Sequence, residues 1–298
     1  MSKCLVTGGA GFIGSHIVSK LLHNNHHVVV LDNESSEANE AFNWYDEAEN
    51  HVVDIRDFDA CRPLFEGVEY VFHLAAFSRI QIAMERPVQC LETNYLGTHN
   101  MLECARQVNA RRFVNSSTSS SYGLLNEPPL QEDMKTDCLN HYSASKIGAE
   151  TLCQMFWRLH GLRTITLRYF NVYGPRQPLK GKYAPVIGLF EEQKKRGEPL
   201  TIVGDGEQRR DFTHVYDVVE ANMCAMMTHF AGIEVNIGSG TNHSVNEVAA
   251  FISDDTINIP ARPGEARVTL ADNLRAQKML GWTPKISLEQ YFDPNTHL

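Results

Sequence analysis

The chain has 298 residues, of which 43 % are hydrophobic and 21 % are charged, and its formal net charge at pH 7 is −9. A chain of this length can bury a large core as one domain or as two closely associated domains. The negative net charge argues against a general nucleic-acid-binding protein, so an anionic ligand would need a local cluster of Arg or Lys.

The cysteines and histidines bear on compartment and metal binding. The 7 cysteines are scattered without a C-x-x-C pair, and the 13 histidines show no metal-ligand spacing. Unclustered thiols of this kind are typical of reduced cysteines in a cytosolic protein, and the pattern disfavours a structural zinc. No signal-peptide pattern opens the chain, and no run reaches the roughly 20 apolar residues that span a membrane. We therefore expect a cytoplasmic protein with no metal, nucleic-acid or membrane partner.

The N-terminal segment has the pattern of a dinucleotide-binding unit. A short apolar strand at 3–7 runs into a glycine-rich turn, a helix and a second strand that ends at Asp32. Gly8, Gly11 and Gly14 would let the backbone approach a pyrophosphate, and the helix N-terminus would offer it free N–H groups. The alternative is a tight turn with packing glycines, which the strand–helix–strand context disfavours.

Two acidic residues bear on the choice of cofactor. Asp32 can accept hydrogen bonds from both hydroxyls of a ribose, and the residues at 33–36 carry no positive charge to bind a 2′-phosphate. NAD is therefore favoured over NADP. Asp54 ends the apolar stretch Asn50–Ile55, where it could contact an adenine amino group or merely cap the strand.

Strands and helices continue to alternate through the first half. Apolar strands are predicted over 69–74, from Phe113 and over 163–169, and a helix over 87–109. Such alternation implies a parallel sheet with helices on both faces. The ligand of such a sheet lies at the carboxyl ends of the strands, where the glycine turn would meet a hydroxyl-rich loop at 115–123.

Beyond residue 170 the pattern changes. A loop over 171–178, a helix over 185–196 and a strand over 199–203 follow, while 234–237 looks like a return strand for the first sheet. The second domain is therefore expected to be interleaved with the first. The predicted bounds are 1–170 with a return segment at about 212–240 for the first domain, and 171–211 with 241–298 for the second.

Tyr142 and Lys146 lie one helical turn apart in a helix predicted to end before Gly161. An ammonium in that position favours an ionised phenol, so we expect Lys146 to lower the pKa of Tyr142 from about 10. Tyr142 is then a candidate general base. The Tyr-x-x-x-Lys spacing often arises by chance, and it is the surrounding motifs that favour a catalytic role.

With this pair, the glycine turn and the Ser/Thr loop before Tyr122-Gly123, the chain resembles the extended short-chain dehydrogenase/reductase family. Its second half is similar to the nucleotide-sugar branch, and there to UDP-hexose 4-epimerases, which act on UDP-glucose/galactose or their N-acetyl forms. The resemblance implies an α/β fold, with a Rossmann-type doubly wound parallel sheet and a smaller, interleaved α+β nucleotide-sugar-binding domain. The motifs that carry the second likeness lie at 168–177, 182–187, 204–213 and 262–265.

The resemblance also implies catalytic and cofactor-binding roles. Tyr142 would remove the proton of the sugar 4-hydroxyl while a hydride passes from C4 to NAD, and Thr118 would hydrogen-bond the same oxygen. Lys146 would hold the nicotinamide ribose. The 4-keto sugar would then turn in the pocket and take the hydride back on its other face. The residues implied to bind NAD are Gly8, Gly11, Phe12, Ile13, Gly14, Asp32, Asn33, Asp54, Ile55, Leu74, Ala75, Ala76, Asn94, Ser116, Tyr142, Lys146 and Tyr169.

Four further residues match substrate-binding positions of the family. Asn171, Arg210 and Arg262 would bind the diphosphate, although a surface ion pair is the alternative for either arginine taken alone. Thr269 lies where enzymes restricted to UDP-glucose/galactose carry a bulky Tyr and those admitting N-acetyl sugars carry a small residue. We therefore expect this chain to accept UDP-GlcNAc/GalNAc.

Other functions on the same scaffold stay open. A 4,6-dehydratase would carry Asp-Glu where Ser119-Ser120 stands, and a UDP-glucuronate decarboxylase would carry Glu in place of Ser120, so the epimerase is favoured. A reductase would consume NAD(P)H. A non-catalytic NAD- or nucleotide-sugar-binding protein would be expected to lose Tyr142 or Lys146, and both are present.

Two further expectations follow from the family comparison. Helices that match 87–109 and 142–160 commonly pair across a dimer in the family, so we expect a homodimer. Arg79 stands where many epimerases carry Ser. It could contact an acidic sugar or pair with Glu85.

Overall fold

The first half of the chain alternates buried strands with helices. The structure, a computed structural model, describes residues 1–36, 39, 41–179, 184–260 and 266–296. The elements are β1 (Lys3–Thr7), α1 (Phe12–His23), β2 (His27–Asp32), β3 (Glu49–Val52), α2 (Phe58–Cys61), a 3₁₀ turn (Arg62–Phe65), β4 (Tyr70–His73), α3 (Ile80–Glu85), α4 (Pro87–Leu91), a π-helical segment (Glu92–Gly97), α5 (Thr98–Gln107), β5 (Arg112–Thr118), a 3₁₀ turn (Ser119–Tyr122), α6 (His141–His160) and β6 (Thr164–Tyr169).

The second half has shorter strands and contributes one of them to the same sheet. Its elements are β7 (Val172–Tyr173), α7 (Val186–Arg196), β8 (Leu200–Val203), β9 (Arg209–Arg210), β10 (Thr213–His214), α8 (Val215–Met227), β11 (Ile233–Ile237), β12 (His243–Ser244), α9 (Val245–Ile252), β13 (Thr256–Ile259), α10 (Leu274–Leu280) and α11 (Leu288–Phe292).

The central sheet has seven strands in the order β11-β6-β5-β4-β1-β2-β3, and every neighbouring pair is parallel. Strand β11 pairs with β6 from Ile233 opposite Ile165 to Ile237 opposite Tyr169, so the predicted return strand is present. The predicted Rossmann-type, doubly wound α/β fold is confirmed. Because the strands are parallel, all their carboxyl ends lie at one edge of the sheet.

Apolar side chains alternate between the two faces of the sheet. In β1, Cys4 and Val6 pack with α1 and α8, while Leu5 packs with α5 and α6 on the other face. A separate core around Phe190, Leu200 and Val248 lies among the short strands of the second half. We propose that this second core marks the smaller domain with the bounds predicted above.

Some predicted elements differ from those observed. The strand predicted over Asn50–Ile55 is shifted, since β3 covers Glu49–Val52. The helix predicted over 87–109 is divided by the π-helical segment, whose extra backbone residue per turn leaves no sign in an apolar pattern. Among the described helices, none is both long enough and apolar enough to cross a membrane.

Candidate active site

A cavity of about 890 Å³ opens at the carboxyl ends of the sheet strands, and both halves of the chain line it. Most of the residues predicted from the sequence meet there, although they come from widely separated parts of the chain. Those that line it are Gly8, Gly11, Phe12, Ile13, Gly14, Asp32, Asn33, Ile55, Leu74, Ala75, Ala76, Ser116, Thr118, Tyr142, Lys146, Tyr169, Asn171, Arg210 and Thr269.

The glycine turn leaves backbone groups bare at one end of the cavity. Gly8 has φ +67°, and a Cβ there would lie 2.7 Å from the backbone nitrogen of Ala75. A Cβ on Gly14 would lie 2.1 Å from the carbonyl oxygen of Gly8. Helix α1 begins after Gly11 with no side-chain cap and no acidic residue in its first turn. Its first N–H groups can therefore bind an anion, as the pyrophosphate of a dinucleotide requires.

Asp32 ends strand β2 beside this turn. Its Oδ2 accepts a hydrogen bond from the Ala10 amide at 3.2 Å, and its Oδ1 accepts one from the Glu34 amide at 2.9 Å. Burial raises the pKa of Asp32, although these amides lower it. Each carboxylate oxygen has a further lone pair for a ribose hydroxyl. The turn and Asp32 thus fit NAD.

Asp54 and Asn94 do not line the cavity. Both oxygens of Asp54 accept hydrogen bonds from Arg56, and Asn33 also donates to Oδ2 at 3.0 Å. Asn94 is buried in the π-helical segment, where its side chain bonds both the N–H and the carbonyl of Phe77. Their contacts with NAD stay predictions.

Tyr142 and Lys146 occupy the first turns of α6 and both line the cavity. The helix begins with a reciprocal capping box between Asn140 and Ser143, and it ends at Gly161 in the left-handed conformation, φ +71°. Such caps fix the first turn, so the direction of the phenol is set by sequence close to it.

Thr118 is the last residue of β5, opposite α6. Its hydroxyl accepts the Ser120 amide at 3.1 Å and lies close enough to the phenol of Tyr142 to lower its pKa. The end of a sheet strand and the start of a helix therefore present two hydroxyl groups to one point of the cavity. Ser116, two residues earlier in β5, bonds the Tyr169 hydroxyl at 3.0 Å.

The expected effect of Lys146 on the Tyr142 pKa is wrong. Burial raises the pKa of Tyr142, and the groups that counteract burial are the Thr118 hydroxyl and the Arg79 guanidinium. Burial also lowers the pKa of Lys146 itself to about 8, so its charge is held less firmly than that of an exposed lysine. The helical spacing was predicted correctly, but the cost of desolvating both groups has no signature in the sequence.

Three of the predicted substrate residues line the same cavity and come from the second half of the chain. Asn171 has φ +24° and donates from Nδ2 to the carbonyl oxygen of Asp211 at 2.8 Å. Arg210 is on β9, where Nη1 donates to the carbonyl of Arg209 at 3.0 Å. The Thr269 hydroxyl accepts the Asp211 amide at 3.3 Å. Arg262 lies outside the described residues.

Sequence reasoning left two features of this region without a settled role. Arg79 lines the cavity and acts electrostatically on Tyr142, and its departure from the family pattern was the only signal of it. Glu150 lies one turn after Lys146 and forms a buried ion pair with Arg168, the residue opposite Ser117 in the neighbouring strand. From composition alone, a buried charged pair of this kind cannot be distinguished from charged residues on the surface.

Comparison with known proteins agrees with the geometry. A family model described as the NAD dependent epimerase/dehydratase family matches residues 4–238. A Methanocaldococcus jannaschii protein, provisionally named a UDP-glucose 4-epimerase, is 39 % identical over 96 % of this chain and 94 % of its own length. A UDP-N-acetyl-alpha-D-glucosaminuronate decarboxylase of Bacillus cytotoxicus is 37 % identical, covering 84 % of this chain and 79 % of its own.

The fold comparison points the same way. The crystal structure of UDP-glucose 4-epimerase from Thermotoga maritima with UDP-glucose superposes with a TM-score of 0.93 and 36 % identity, covering 97 % of this chain and 96 % of that one. A family match over more than half of the chain, together with the glycine turn, Asp32 and the Tyr142–Lys146 pair, gives one conclusion. The chain belongs to the NAD dependent epimerase/dehydratase family, and its cofactor is NAD.

Proposed function

We propose that this protein is a UDP-hexose 4-epimerase that keeps NAD bound and works through a 4-keto sugar. The observation that carries the proposal is the meeting of Thr118, Tyr142 and Lys146 in one cavity that also reaches Asn171 and Arg210. Such a cavity can hold a dinucleotide at the glycine turn and a nucleotide sugar on the other side of the phenol. NAD, when bound, supplies reversible hydride uptake at C4 of the sugar.

The protein's own contribution at C4 is proton transfer. The Tyr142 phenolate accepts the proton of the 4-hydroxyl as that carbon is oxidised, and the phenol returns the proton when it is reduced. The Thr118 hydroxyl, which lies close to the phenol, holds the 4-oxygen within reach of it. Lys146 is proposed to orient the nicotinamide ribose, while the Thr118 hydroxyl and the Arg79 guanidinium favour the phenolate.

Epimerisation also needs the sugar to present both faces while the rest of the substrate stays bound. The proposed diphosphate groups, Asn171 and Arg210, lie on a different part of the chain from Tyr142, so the nucleotide can be anchored independently of the ring. Arg is suited to this because its forked donors match phosphate oxygens. Arg262 is proposed for the same role from the sequence.

The residues that line the cavity favour an epimerase over a 4,6-dehydratase or a decarboxylase, because both alternatives need an acidic residue in the loop after Thr118. Ser119 and Ser120 stand after Thr118, and Ser120 is bonded to Thr118 through both its amide and its hydroxyl. Among the described residues that line the cavity, the only carboxylate is Asp32, at the cofactor end. A decarboxylase stays a second candidate because a relative with that name is 37 % identical.

The size of Thr269 supports a broad substrate range. Thr269 lines the cavity, and its Cβ carries only a hydroxyl and a methyl group. We propose that the space beside it admits the acetamido group of UDP-GlcNAc and UDP-GalNAc as well as the 2-hydroxyl of UDP-glucose and UDP-galactose.

We further propose that the protein is a cytoplasmic homodimer. Apolar side chains are exposed at several neighbouring positions of the helical stretch from α4 to α5, and another is exposed at the end of α6. Helix α6 packs against this stretch where Tyr95 lies over Gly148. Contiguous apolar groups on a folded surface favour a protein interface. The exposed residues are Val88, Leu91, Tyr95, Leu96 and Leu159. Sedimentation of a monomer at micromolar concentration would contradict the dimer.

The decisive experiment mixes purified protein with UDP-glucose or with UDP-GlcNAc, without added cofactor, and resolves the products by proton NMR. The C4 epimer is expected from both substrates, with no net consumption of NAD(P)H. Release of water from either sugar would favour a dehydratase, and release of carbon dioxide from UDP-glucuronate, offered as a third substrate, would favour a decarboxylase. If no epimer formed with NAD supplied and Tyr142→Phe behaved identically, the catalytic proposal would be wrong.

A further inference from the structure

Arg79 is a half-buried cation that lines the cavity and acts electrostatically on Tyr142. It is the residue before α3, with an extended backbone at φ −111° and ψ +120°, and its side chain lines the cavity. Its Nε is buried and has no hydrogen-bond partner among the described residues. A buried donor that is left without an acceptor is costly, so the unmatched Nε–H in a ligand cavity indicates a ligand group.

The alternative partner, Glu85, does not bind it. The two residues flank opposite ends of α3, one and a half turns apart, and Glu85 is exposed. No ion pair joins these two described side chains.

The loop that carries Arg79 is fixed to the catalytic helix. The Asn94 side chain accepts the Phe77 amide at 2.6 Å, donates to the Phe77 carbonyl at 3.1 Å and donates to the Ser145 hydroxyl at 2.9 Å. Ser145 lies in α6, between Tyr142 and Lys146. The position of Arg79 relative to the phenol is therefore set by a buried hydrogen-bond network, which is how a recognition group is kept in place.

Arg79 is also electrostatically close to Tyr142. Burial raises the pKa of the phenol, and the Arg79 guanidinium counteracts that rise. The proposed function brings C4 of the sugar to this phenol, so Arg79 faces a substituent on C4 or on a carbon next to it. The smallest anionic group in that position is a carboxylate at C6, attached to C5.

We propose that Arg79 is a specificity residue that binds the C6 carboxylate of a UDP-hexuronate, so that UDP-hexuronates are preferred substrates of this cavity. The inference rests on the proposed function, since it uses the position of C4 at Tyr142. The guanidinium fork can donate two parallel hydrogen bonds to a carboxylate. A primary 6-hydroxyl carries no charge to compensate the cation.

The test compares UDP-glucuronate with UDP-glucose as substrates of the NAD-loaded protein. The quantity measured is the ratio of the two kcat/KM values, and the formation of each C4 epimer is monitored by proton NMR. Arg79→Gln should lower this ratio about 10- to 100-fold, and Arg79→Lys should lower it less. The ratio cancels any effect of Arg79 that acts through Tyr142, because that effect applies to both substrates. Arg111→Gln, which removes an exposed arginine paired with Glu69, should leave the ratio unchanged.

Each outcome separates this inference from the proposed function. If the wild type epimerises UDP-glucose but not UDP-glucuronate, or if Arg79→Gln leaves the ratio unchanged, the inference is wrong and the epimerase proposal stands. If neither substrate is epimerised, the epimerase proposal fails. The ratio of the two Kd values, measured by calorimetry for the wild type and Arg79→Gln, then decides the inference: a preference for UDP-glucuronate that the variant loses supports it, and equal affinities overturn it.

Discussion

Glu150 and Arg168 form a buried ion pair next to the proposed catalytic residues. Arg168 Nη2 lies 2.7 Å from Glu150 Oε2, and both side chains are 5 % exposed. Ser117 also donates to Glu150, and Arg168 Nη1 donates to the Tyr122 hydroxyl at 3.0 Å. The pair therefore ties α6, which carries Tyr142 and Lys146, to the strands on which Thr118 depends.

Removing one member of this pair should destabilise the fold strongly. Glu150→Ala leaves the Arg168 guanidinium buried without its counter-charge, which typically costs about 3–5 kcal/mol. We expect a loss of this size in the free energy of unfolding, measured by urea denaturation with the slope m unchanged. The matched control is Glu103→Ala, which breaks the Arg106 pair on the surface of α5 and should cost about 1 kcal/mol or less. Equal losses in the two variants would contradict the structural role of the Glu150–Arg168 pair.

Tyr142→Phe should abolish proton transfer while leaving the fold intact. The ring is kept, and only the phenolic hydroxyl near Thr118 is lost. Loss of a general base typically lowers the rate about 10²- to 10⁴-fold. We expect kcat for C4 epimerisation to fall by this factor, with bound NAD and Tm close to those of the wild type. A variant with wild-type kcat would exclude the phenol as the base.

The pH dependence of kcat/KM should reflect the titration of Tyr142 and Lys146 as a coupled pair. Burial lowers the pKa of Lys146 to about 8 and raises that of Tyr142, so the pair loses its first proton near pH 8 and its second at higher pH. Because the pKa of Tyr142 is raised, the first proton comes mainly from Lys146, and the active form, a phenolate beside an ammonium, is the minor tautomer of the state that has lost one proton. We therefore expect kcat/KM to rise with pH up to about 8 and then to level off.

Lys146→Met tests this assignment. Without the lysine, the only proton that the pair can lose belongs to a phenol whose pKa is raised by burial. The rise in kcat/KM should then move to higher pH, and the rate at pH 7 should fall. A profile with its rise still near pH 8 in Lys146→Met would assign that ionisation to another group.

Periodicity and turn residues predicted much of the fold. The β1–α1–β2 unit, the return strand β11 and the helix that carries Tyr142 follow from local patterns: a β-branched run in β2, Gly161 as a helix stop and the glycine turn. Local patterns do not show how deeply a side chain is buried by residues distant in the chain. Such burial raises the pKa of Tyr142, where a lowering was expected. Local patterns also could not indicate that the Asn94 side chain, expected at the cofactor, holds the backbone of Phe77.

Thr269→Tyr should narrow the substrate range. Thr269 lines the cavity, and a Tyr ring there would fill the space proposed for the acetamido group of UDP-GlcNAc. Because the 2-hydroxyl of UDP-glucose is smaller, we expect kcat/KM for UDP-GlcNAc to fall at least about 10-fold relative to that for UDP-glucose, in line with the cost of overpacking. The measurement is the rate of C4 epimerisation of each substrate by proton NMR.

The Thr269 hydroxyl also accepts the Asp211 amide at 3.3 Å, so its loss could act on the fold instead of the pocket. Thr269→Val separates the two effects, because it removes the hydroxyl while keeping the side chain small. If Thr269→Val lowered turnover of UDP-GlcNAc relative to UDP-glucose as much as Thr269→Tyr, the hydrogen bond would be responsible. If Thr269→Tyr left the ratio of the two rates unchanged, the acetamido group would have to lie elsewhere in the cavity.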